Sequence, residues 1–179
     1  MQKIMPNKAF KSDSQRLAFS LRSSIAKRCS HLNAALCIKE SLMRLASIEE
    51  NYWRLRNGEE SHRNNPETFW IPTLDARKSL KIGDAAKIIL EIEFEDENGD
   101  VYVESERGYV IVSELVSDKF IGILDFQPSC IDPDESGVYL GFGVEIPFSV
   151  EHVIDISRPP QSYIDWQLGQ KPERCWSRN

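Results

Sequence analysis

Residues 88–103, IILEIEFEDENGDVYV, contain a clear strand pattern and the strongest hairpin signal in the sequence. Apolar and acidic side chains alternate along this stretch, which is the period of a β-strand with one buried face. The apolar face comprises Ile88, Leu90, Ile92 and Phe94, and the acidic face comprises Glu91, Glu93 and Glu95. Asn98-Gly99 then favours a type I′ turn, in which both central residues have positive φ. The stretch therefore predicts an antiparallel hairpin whose second strand begins at Val101.

Strand-like segments continue towards the C-terminus. They are rich in β-branched and aromatic residues, are separated by turn residues such as Ser117-Asp118, and cover residues 109–116, 120–124, 138–148 and 150–156. Together with the hairpin they amount to about five or six short strands at roughly 8–12-residue spacing. This spacing is typical of a small, strongly bent antiparallel sheet or an SH3-like barrel. We therefore predict an α+β fold with short flanking helices.

Helical patterns precede and follow the predicted sheet. Apolar residues recur at three- and four-residue steps from residue 14 to residue 28, and again from residue 32 to residue 56. Thr73 is a good N-cap for a short helix that extends to Leu80. Residues 161–168 form another candidate helix, which Gly169 ends.

Charge divides the chain into two parts. Residues 1–64 contain 12 Lys/Arg and 6 Asp/Glu, whereas residues 65–179 contain 10 and 22, so the formal net charge of −6 combines +6 with −12. We interpret residues 1–58 as a basic helical arm, residues 59–64 as a linker and residues 65–179 as an acidic domain. A surface as negative as that of the acidic domain repels nucleic acid and anionic membranes, and it favours a basic protein partner.

Several protein classes are excluded by what the sequence lacks. The apolar run AAKIIL at residues 85–90 is too short to cross a membrane, and the N-terminus has no secretory signal pattern. The four cysteines have neither disulfide-scaffold nor zinc-finger spacing: Cys29, Cys37, Cys130 and Cys175. We therefore predict a cytoplasmic protein, and the sequence leaves its oligomeric state open.

The sequence contains no recognisable catalytic motif. Neither a GxSxG nor an HExxH pattern occurs. The calcium-loop-like pattern that starts at Asp132 lacks the bidentate glutamate at its twelfth position. Cys130 has no basic neighbours in the sequence to lower the pKa of its thiol. We predict that the protein is not an enzyme and uses no cofactor or metal; the alternative is a hydrolase that uses Asp132, Asp134 and His152, or Cys130 with His152.

Two groups of residues are candidates for binding a partner. The first is an acidic stripe on the hairpin: Glu91, Glu93, Glu95, Asp96 and Glu97. It either steers a basic partner or forms the solvated face of a strand that its charges protect from edge pairing. The second is an aromatic cluster in the two segments that flank the sheet: Phe69, Trp70, Tyr163 and Trp166. Aromatic residues anchor interfaces, and packing in the core is the alternative use.

The acidic domain carries a family resemblance. The segments concerned are NPETFWIP (65–72), LKIGD (80–84), FIGIL (120–124), QP (127–128), GVEIPF (143–148) and HVID (152–155). Over residues 65–156 the chain resembles a group of small uncharacterised bacterial domains that includes the immunity protein 33 type of polymorphic toxin systems. The resemblance implies a small α+β or barrel-like fold, a role in neutralising a toxin and no catalytic residues.

The function that we predict is therefore binding, in the form of an immunity-type inhibitor that neutralises a basic toxin or another basic protein. The acidic stripe would steer the partner, and the aromatic cluster would be buried against it. A hydrolase is one alternative. A structural interaction module is the other, and it predicts binding that is insensitive to salt.

The N-terminal arm has a resemblance of its own. PNKAFKSDSQR, residues 6–16, is similar to the translated recombination-site repeats of bacterial integron cassettes, which are mobile gene cassettes. On this hypothesis residues 1–42 are an extension of the reading frame and Met43 is the start of the protein. The alternative is a genuine basic helical arm.

Overall fold

The computed structural model describes residues 43–95, 98–132 and 139–178. Its α-helices are α1 (Ile48–Asn51), α2 (Gly58–Asn64), α3 (Leu74–Lys78) and α4 (Gln161–Gly169), and a 3₁₀ helix spans Val150–His152. Its strands are β1 (Trp53–Leu55), β2 (Ala85–Glu95), β3 (Val101–Val116), β4 (Lys119–Leu124), β5 (Glu145–Phe148) and β6 (Asp155–Ser157).

The strands form one antiparallel sheet in the order β1-β2-β3-β4-β5. β6 pairs with β2 on the same edge as β1, because β1 covers residues 90–92 and β6 covers residues 85–87. β3 is 16 residues long and changes partner along its length: residues 101–111 pair with β2, and residues 110–116 pair with β4. The sheet is strongly curled into a half-barrel, which confirms the predicted α+β fold.

The main core lies on the face of β2 that carries its even-numbered side chains, as the alternation predicts. Its large members include Trp53, Ile88, Leu90, Val110, Val112, Leu124, Ile146 and Phe148. Each such side chain contributes about 1.5–3 kcal/mol when it is fully buried. Gly108 lets the core close over β3, because a Cβ there would lie 1.9 Å from the ring of Phe126.

The N-terminal boundary differs from the one that charge predicts. In the described part, the helix predicted over residues 32–56 is only the four-residue α1, and Tyr52 ends it in a left-handed conformation with φ 62°. The chain then enters β1, whose Trp53 is 2% exposed. The predicted linker at residues 59–64 lies in α2, which Asn57 caps. Residues 43–64 are therefore part of the folded unit, and residues 1–42 of the predicted arm lie outside the described residues.

Three predictions about the strands are also wrong. The hairpin turn is not type I′, because Gly99 has positive φ (86°) and Asn98 does not. Of residues 138–148 only Glu145–Phe148 is a described strand, because the chain turns at Gly143 with φ 83°. Val150–His152 is helical because the imidazole Nδ1 of His152 accepts the backbone N–H of Ser149 at 3.1 Å, which folds the chain back on itself.

Other local predictions are confirmed. Thr73 caps α3, since its hydroxyl accepts the N–H of Ala76 at 3.3 Å. Ser117, with φ 56°, occupies the two-residue turn between β3 and β4. α4 covers the helix predicted near the C-terminus and includes Gly169. Each helix in the described residues is too short or too polar to span a bilayer.

Candidate functional site

The odd-numbered residues of β2 and β3 place their side chains on the side of the hairpin opposite the main core. We call this side the polar face, and it carries Lys87, Ile89, Glu91, Glu93, Val103, Ser105, Arg107 and Tyr109. The register pairs Lys87 with Tyr109, and Glu93 with Val103. Basic residues therefore lie at one end of the polar face and acidic residues at the other.

Glu91 lies in the middle of the polar face and is not an exposed acid. β1 places Arg54 directly opposite it. The Glu91 carboxylate accepts hydrogen bonds from Arg54 Nε at 2.7 Å and from Arg56 Nε at 2.6 Å. Arg56 also donates to Ser105 Oγ at 2.7 Å, which ties β1 to β3.

These contacts neutralise the charge of Glu91. Burial raises the pKa of its carboxyl, but the hydrogen bonds and charges of Arg54 and Arg56 outweigh this effect and hold the pKa below its usual range. Glu91 is 8% exposed. The prediction of an exposed acidic stripe is therefore wrong at this residue, because β1 supplies cations that the alternation of β2 does not show.

The acidic character persists at the turn end of the hairpin. Glu93 is half-buried and Glu95 is exposed, and neither forms an ion pair with a described residue. Asp96 and Glu97, the other members of the predicted stripe, lie outside the described residues. Residues 93–106 contain seven Asp/Glu and no Lys/Arg. We call residues 93–106 the acidic hairpin end.

The direction of the backbone groups of β3 follows from the loops beside it. In an antiparallel ladder, successive residues point their N–H and C=O groups alternately to the two sides of the strand. The backbone of Val112 forms hydrogen bonds with Gly83 and Asp84, which immediately precede β2. The backbone N–H and C=O groups of the even residues of β3 therefore point towards β2. The carbonyl of Tyr109 accepts the N–H of Asp125 at 2.9 Å, so the odd residues point the other way.

The outer edge of β3 is consequently open at the acidic hairpin end. The backbone groups of Val101, Val103 and Ser105 point away from β2, and no described residue pairs with them, since the pairing with β4 begins only at residue 110. We call these three residues the open β3 edge. Val101 is 60% exposed and Val103 is 50% exposed. An exposed edge with β-branched side chains is a template on which another strand can pair.

The four predicted aromatic residues do not form one cluster. Tyr163 contacts Trp166, with ring centroids 5.4 Å apart, and its hydroxyl donates to Asp125 at 2.5 Å. Phe69 instead lies under the guanidinium of Arg107 at 5.6 Å, and no ring of the described residues joins it to the Tyr163 pair. Trp70 is 76% exposed. The prediction of a single cluster is wrong, because the segments that carry these rings pack on different parts of the sheet.

The environments of the alternative catalytic residues disfavour catalysis. Burial and the neighbouring Glu106 raise the pKa of the Cys130 thiol to about 12, so a thiolate is disfavoured at neutral pH. His152 is buried, and its Nδ1 is 3.0 Å from Ser149 Oγ. Burial lowers the pKa of this imidazole. Asp134 lies outside the described residues, and within them no three metal-ligating side chains converge.

A scan against protein-family models found no match to the chain, and searches of curated proteins and of solved structures found none. The resemblance to immunity protein 33 therefore stays a prediction.

Sequence reasoning missed three parts of the site. Glu104 lies on β3 at the acidic hairpin end. It belongs to the run of seven acids and could have been included in the acidic stripe from composition alone. The open β3 edge could not be found this way, because it depends on where β4 begins to pair. Arg54 and Arg56 were assigned to a helix, which concealed their contact with Glu91.

Proposed function

We propose that the protein is a binding module that recognises an extended, basic segment of a partner protein by adding it to the open β3 edge. The observation that carries the proposal is the outward-pointing backbone of Val101, Val103 and Ser105, which no described residue satisfies. Strand addition supplies affinity through main-chain hydrogen bonds, and the side chains beside the edge supply specificity.

The charge of the acidic hairpin end supports a basic occupant. Residues 93–106, which include the edge, contain seven acids and no bases, and the one guanidinium that contacts Ser105, that of Arg56, is paired with Glu91. A second copy of this chain would bring Glu104 and Glu106 close to the same residues of its partner, and like charges directly opposite one another destabilise a strand pair. A basic segment would instead be attracted, with an association rate that falls as salt rises.

The specific role that we propose is inhibition of a basic toxin, as the resemblance to immunity protein 33 implies. An inhibitor needs an exposed, preformed surface and no catalytic group, which agrees with the unreactive environments of Cys130 and His152. Strand addition suits this role because it occludes a segment of the partner along several residues at once.

Affinity capture from the source cells with the full chain as bait tests the proposal. The wild type is compared with Val103→Pro, which removes one outward N–H of the edge, and with Glu104→Lys, which reverses a charge beside it. Glu67→Lys is the matched control. Glu67 is exposed, and its substitution makes the same charge change outside the acidic hairpin end.

We expect a basic protein that the wild type and Glu67→Lys retain at low salt, and that Val103→Pro and Glu104→Lys lose. Co-expression of the captured protein with each variant then measures neutralisation directly. Capture of the same protein by Val103→Pro would refute strand addition. Binding that is unaffected by salt would support a structural interaction module instead.

A further inference from the structure

A cleft of about 520 Å³ opens at the basic end of the polar face. One wall is the segment of residues 68–72, which includes Phe69 and Trp70. The opposite wall is the sheet itself, with Lys87, Arg107 and Asp155, and β6 places Asp155 directly opposite Lys87 in the register. A cleft of this size lies within the range of small-molecule sites in proteins.

The wall formed by residues 68–72 is held in place from both ends. The imidazole Nδ1 of His62 lies 2.6 Å from the carbonyl oxygen of Phe69. The buried guanidinium of Arg77 donates to the carbonyl oxygen of Pro72 at 3.0 Å and to Glu59 at 2.7 Å. These bonds fix the segment against α2 and α3, so the cleft is preformed rather than assembled by a ligand.

Two cations that form no ion pair with a described residue line the sheet wall of the cleft. Lys87 is opposite Tyr109 in the register, so Arg107, two residues earlier on β3, is its diagonal neighbour on the same face. Neither Lys87 nor Arg107 forms an ion pair with a described residue. Each lies instead against a ring: Lys87 Nζ is 5.3 Å from the centroid of Tyr109, and the Arg107 guanidinium is 5.6 Å from that of Phe69.

The acidic group that lines the cleft is already engaged. The carboxylate of Asp155 accepts one hydrogen bond from the Tyr109 hydroxyl and another from the backbone N–H of Ile156, both at 2.9 Å. The lining carries Lys87, Arg107 and the Asp155 carboxylate, so the cleft keeps a net positive charge in a domain whose residues 65–179 contain 22 acids and 10 bases. A local positive site in such a domain attracts small anions selectively.

Trp70 adds a planar apolar surface to this positive site. It is 76% exposed although it lines the cleft. Indole rings stack on planar aromatic groups, and a ring stacked on an exposed tryptophan is stabilised by about 1–3 kcal/mol. The cleft thus offers one surface for an anion and another for an aromatic ring.

We propose that this cleft binds a mononucleotide: the phosphate lies between Lys87 and Arg107, and the base stacks on Trp70. A free nucleotide is favoured over a nucleic acid because the many other acids of the domain repel a long polyanion. The site is built from other residues than the open β3 edge, so this inference does not rest on the proposed function.

Titration of the full chain with AMP, GMP, CMP and UMP tests the proposal, with tryptophan fluorescence and calorimetry as readouts. Adenosine and inorganic phosphate are the two half-ligands. The variants are Arg107→Gln and Trp70→Leu, both at exposed positions where folding is retained, as circular dichroism will verify. The matched controls are Lys171→Gln and Trp166→Leu, an exposed lysine and an exposed tryptophan outside the cleft.

We expect at least one mononucleotide to quench fluorescence and to bind at least tenfold more tightly than either half-ligand. Arg107→Gln should weaken binding about tenfold, and Trp70→Leu should weaken it and remove the quenching, whereas both controls bind like the wild type. No binding of any of the four at millimolar concentration would overturn the proposal. Binding by Arg107→Gln that equals binding by the wild type would also overturn it. An affinity that rises with the length of an oligonucleotide would overturn it too, because it would assign the cleft to single-stranded nucleic acid.

Discussion

The two ends of the polar face belong to the same pair of strands and have opposite charge. At one end Lys87 and Arg107 lie beside an aromatic wall and form no ion pair with a described residue, and Asp155 is opposite Lys87 in the register. At the other end Glu93 and Glu95 form no ion pair with a described residue and lie beside an open backbone edge. Glu91 separates them, and its charge is cancelled by Arg54 and Arg56.

Strand alternation determines on which side of the sheet a residue lies, but it does not determine which side chains lie beside it. Glu91 and Glu95 are equivalent in the sequence pattern, yet one is buried in an ion-pair network and the other is exposed. The neighbours come from β1, which covers β2 only at residues 90–92. β1 does not extend past residue 92 of β2, and from there towards the turn the same strand face is available to a partner.

The greatest change in stability should distinguish the two sides of β3. Glu104→Pro removes an N–H that points into the ladder with β2, so we expect it to lower the free energy of unfolding by about 3 kcal/mol. Val103→Pro removes an N–H that points outward, and we expect a loss of about 1 kcal/mol or less, because no ladder hydrogen bond is broken. Urea denaturation of both variants measures the difference. Equal losses would mean that the β3 edge is not open.

The next effect contrasts Glu91 with Glu95. Glu91→Ala leaves Arg54 and Arg56 facing each other without a carboxylate, and we expect a loss of about 2 kcal/mol, less than for a fully buried pair because both arginines are partly exposed. Glu95→Ala should change the free energy of unfolding by no more than about 0.5 kcal/mol. Chemical denaturation at neutral pH measures both, and a similar cost for the two variants would contradict the contrast.

A smaller effect is expected in the pH dependence of stability. The folded-state pKa of Glu91 lies below its unfolded-state value of about 4.3. The stabilisation by Glu91 is therefore fully present above the unfolded pKa and is lost as pH falls through the folded pKa. We expect Glu91→Gln to unfold with a shallower acid dependence than the wild type below about pH 5. Urea denaturation of the wild type and Glu91→Gln across this pH range measures the difference, and parallel acid profiles would contradict the expectation.

The smallest effect concerns the residues that precede the folded unit. Every contact described above involves residues from Met43 onward, so a chain that begins at Met43 should unfold within about 0.5 kcal/mol of the full chain. Thermal unfolding of both chains makes the comparison. A large loss of stability would contradict the hypothesis that residues 1–42 are an extension of the reading frame.

The sheet and several turns could be predicted from the sequence because their signals are local. The alternation of residues 88–95 and the cap at Thr73 each require information from a few neighbouring residues. β1 could not be predicted in this way, because it has three residues and follows apolar positions at helical spacing. The partners of Glu91 could not be predicted either, since Arg54 and Arg56 precede it by 37 and 35 residues.

The candidate sites were predicted only in part for the same reason. The acidic run near the turn was evident from composition, whereas the open β3 edge depends on the unequal lengths of β3 and β4. The aromatic residues were recognised singly. Their separation into Tyr163 with Trp166 and Phe69 with Arg107 depends on where distant segments pack.

The proposed function depends on the claim that the outer edge of β3 is open, and amide hydrogen exchange of the full chain, measured by NMR, checks this claim residue by residue. We expect Val101, Val103 and Ser105 to exchange rapidly, while the interleaved Tyr102, Glu104 and Glu106 are protected by their hydrogen bonds to β2. Uniform protection of all six amides would contradict the claim, because it would mean that another strand already occupies the edge.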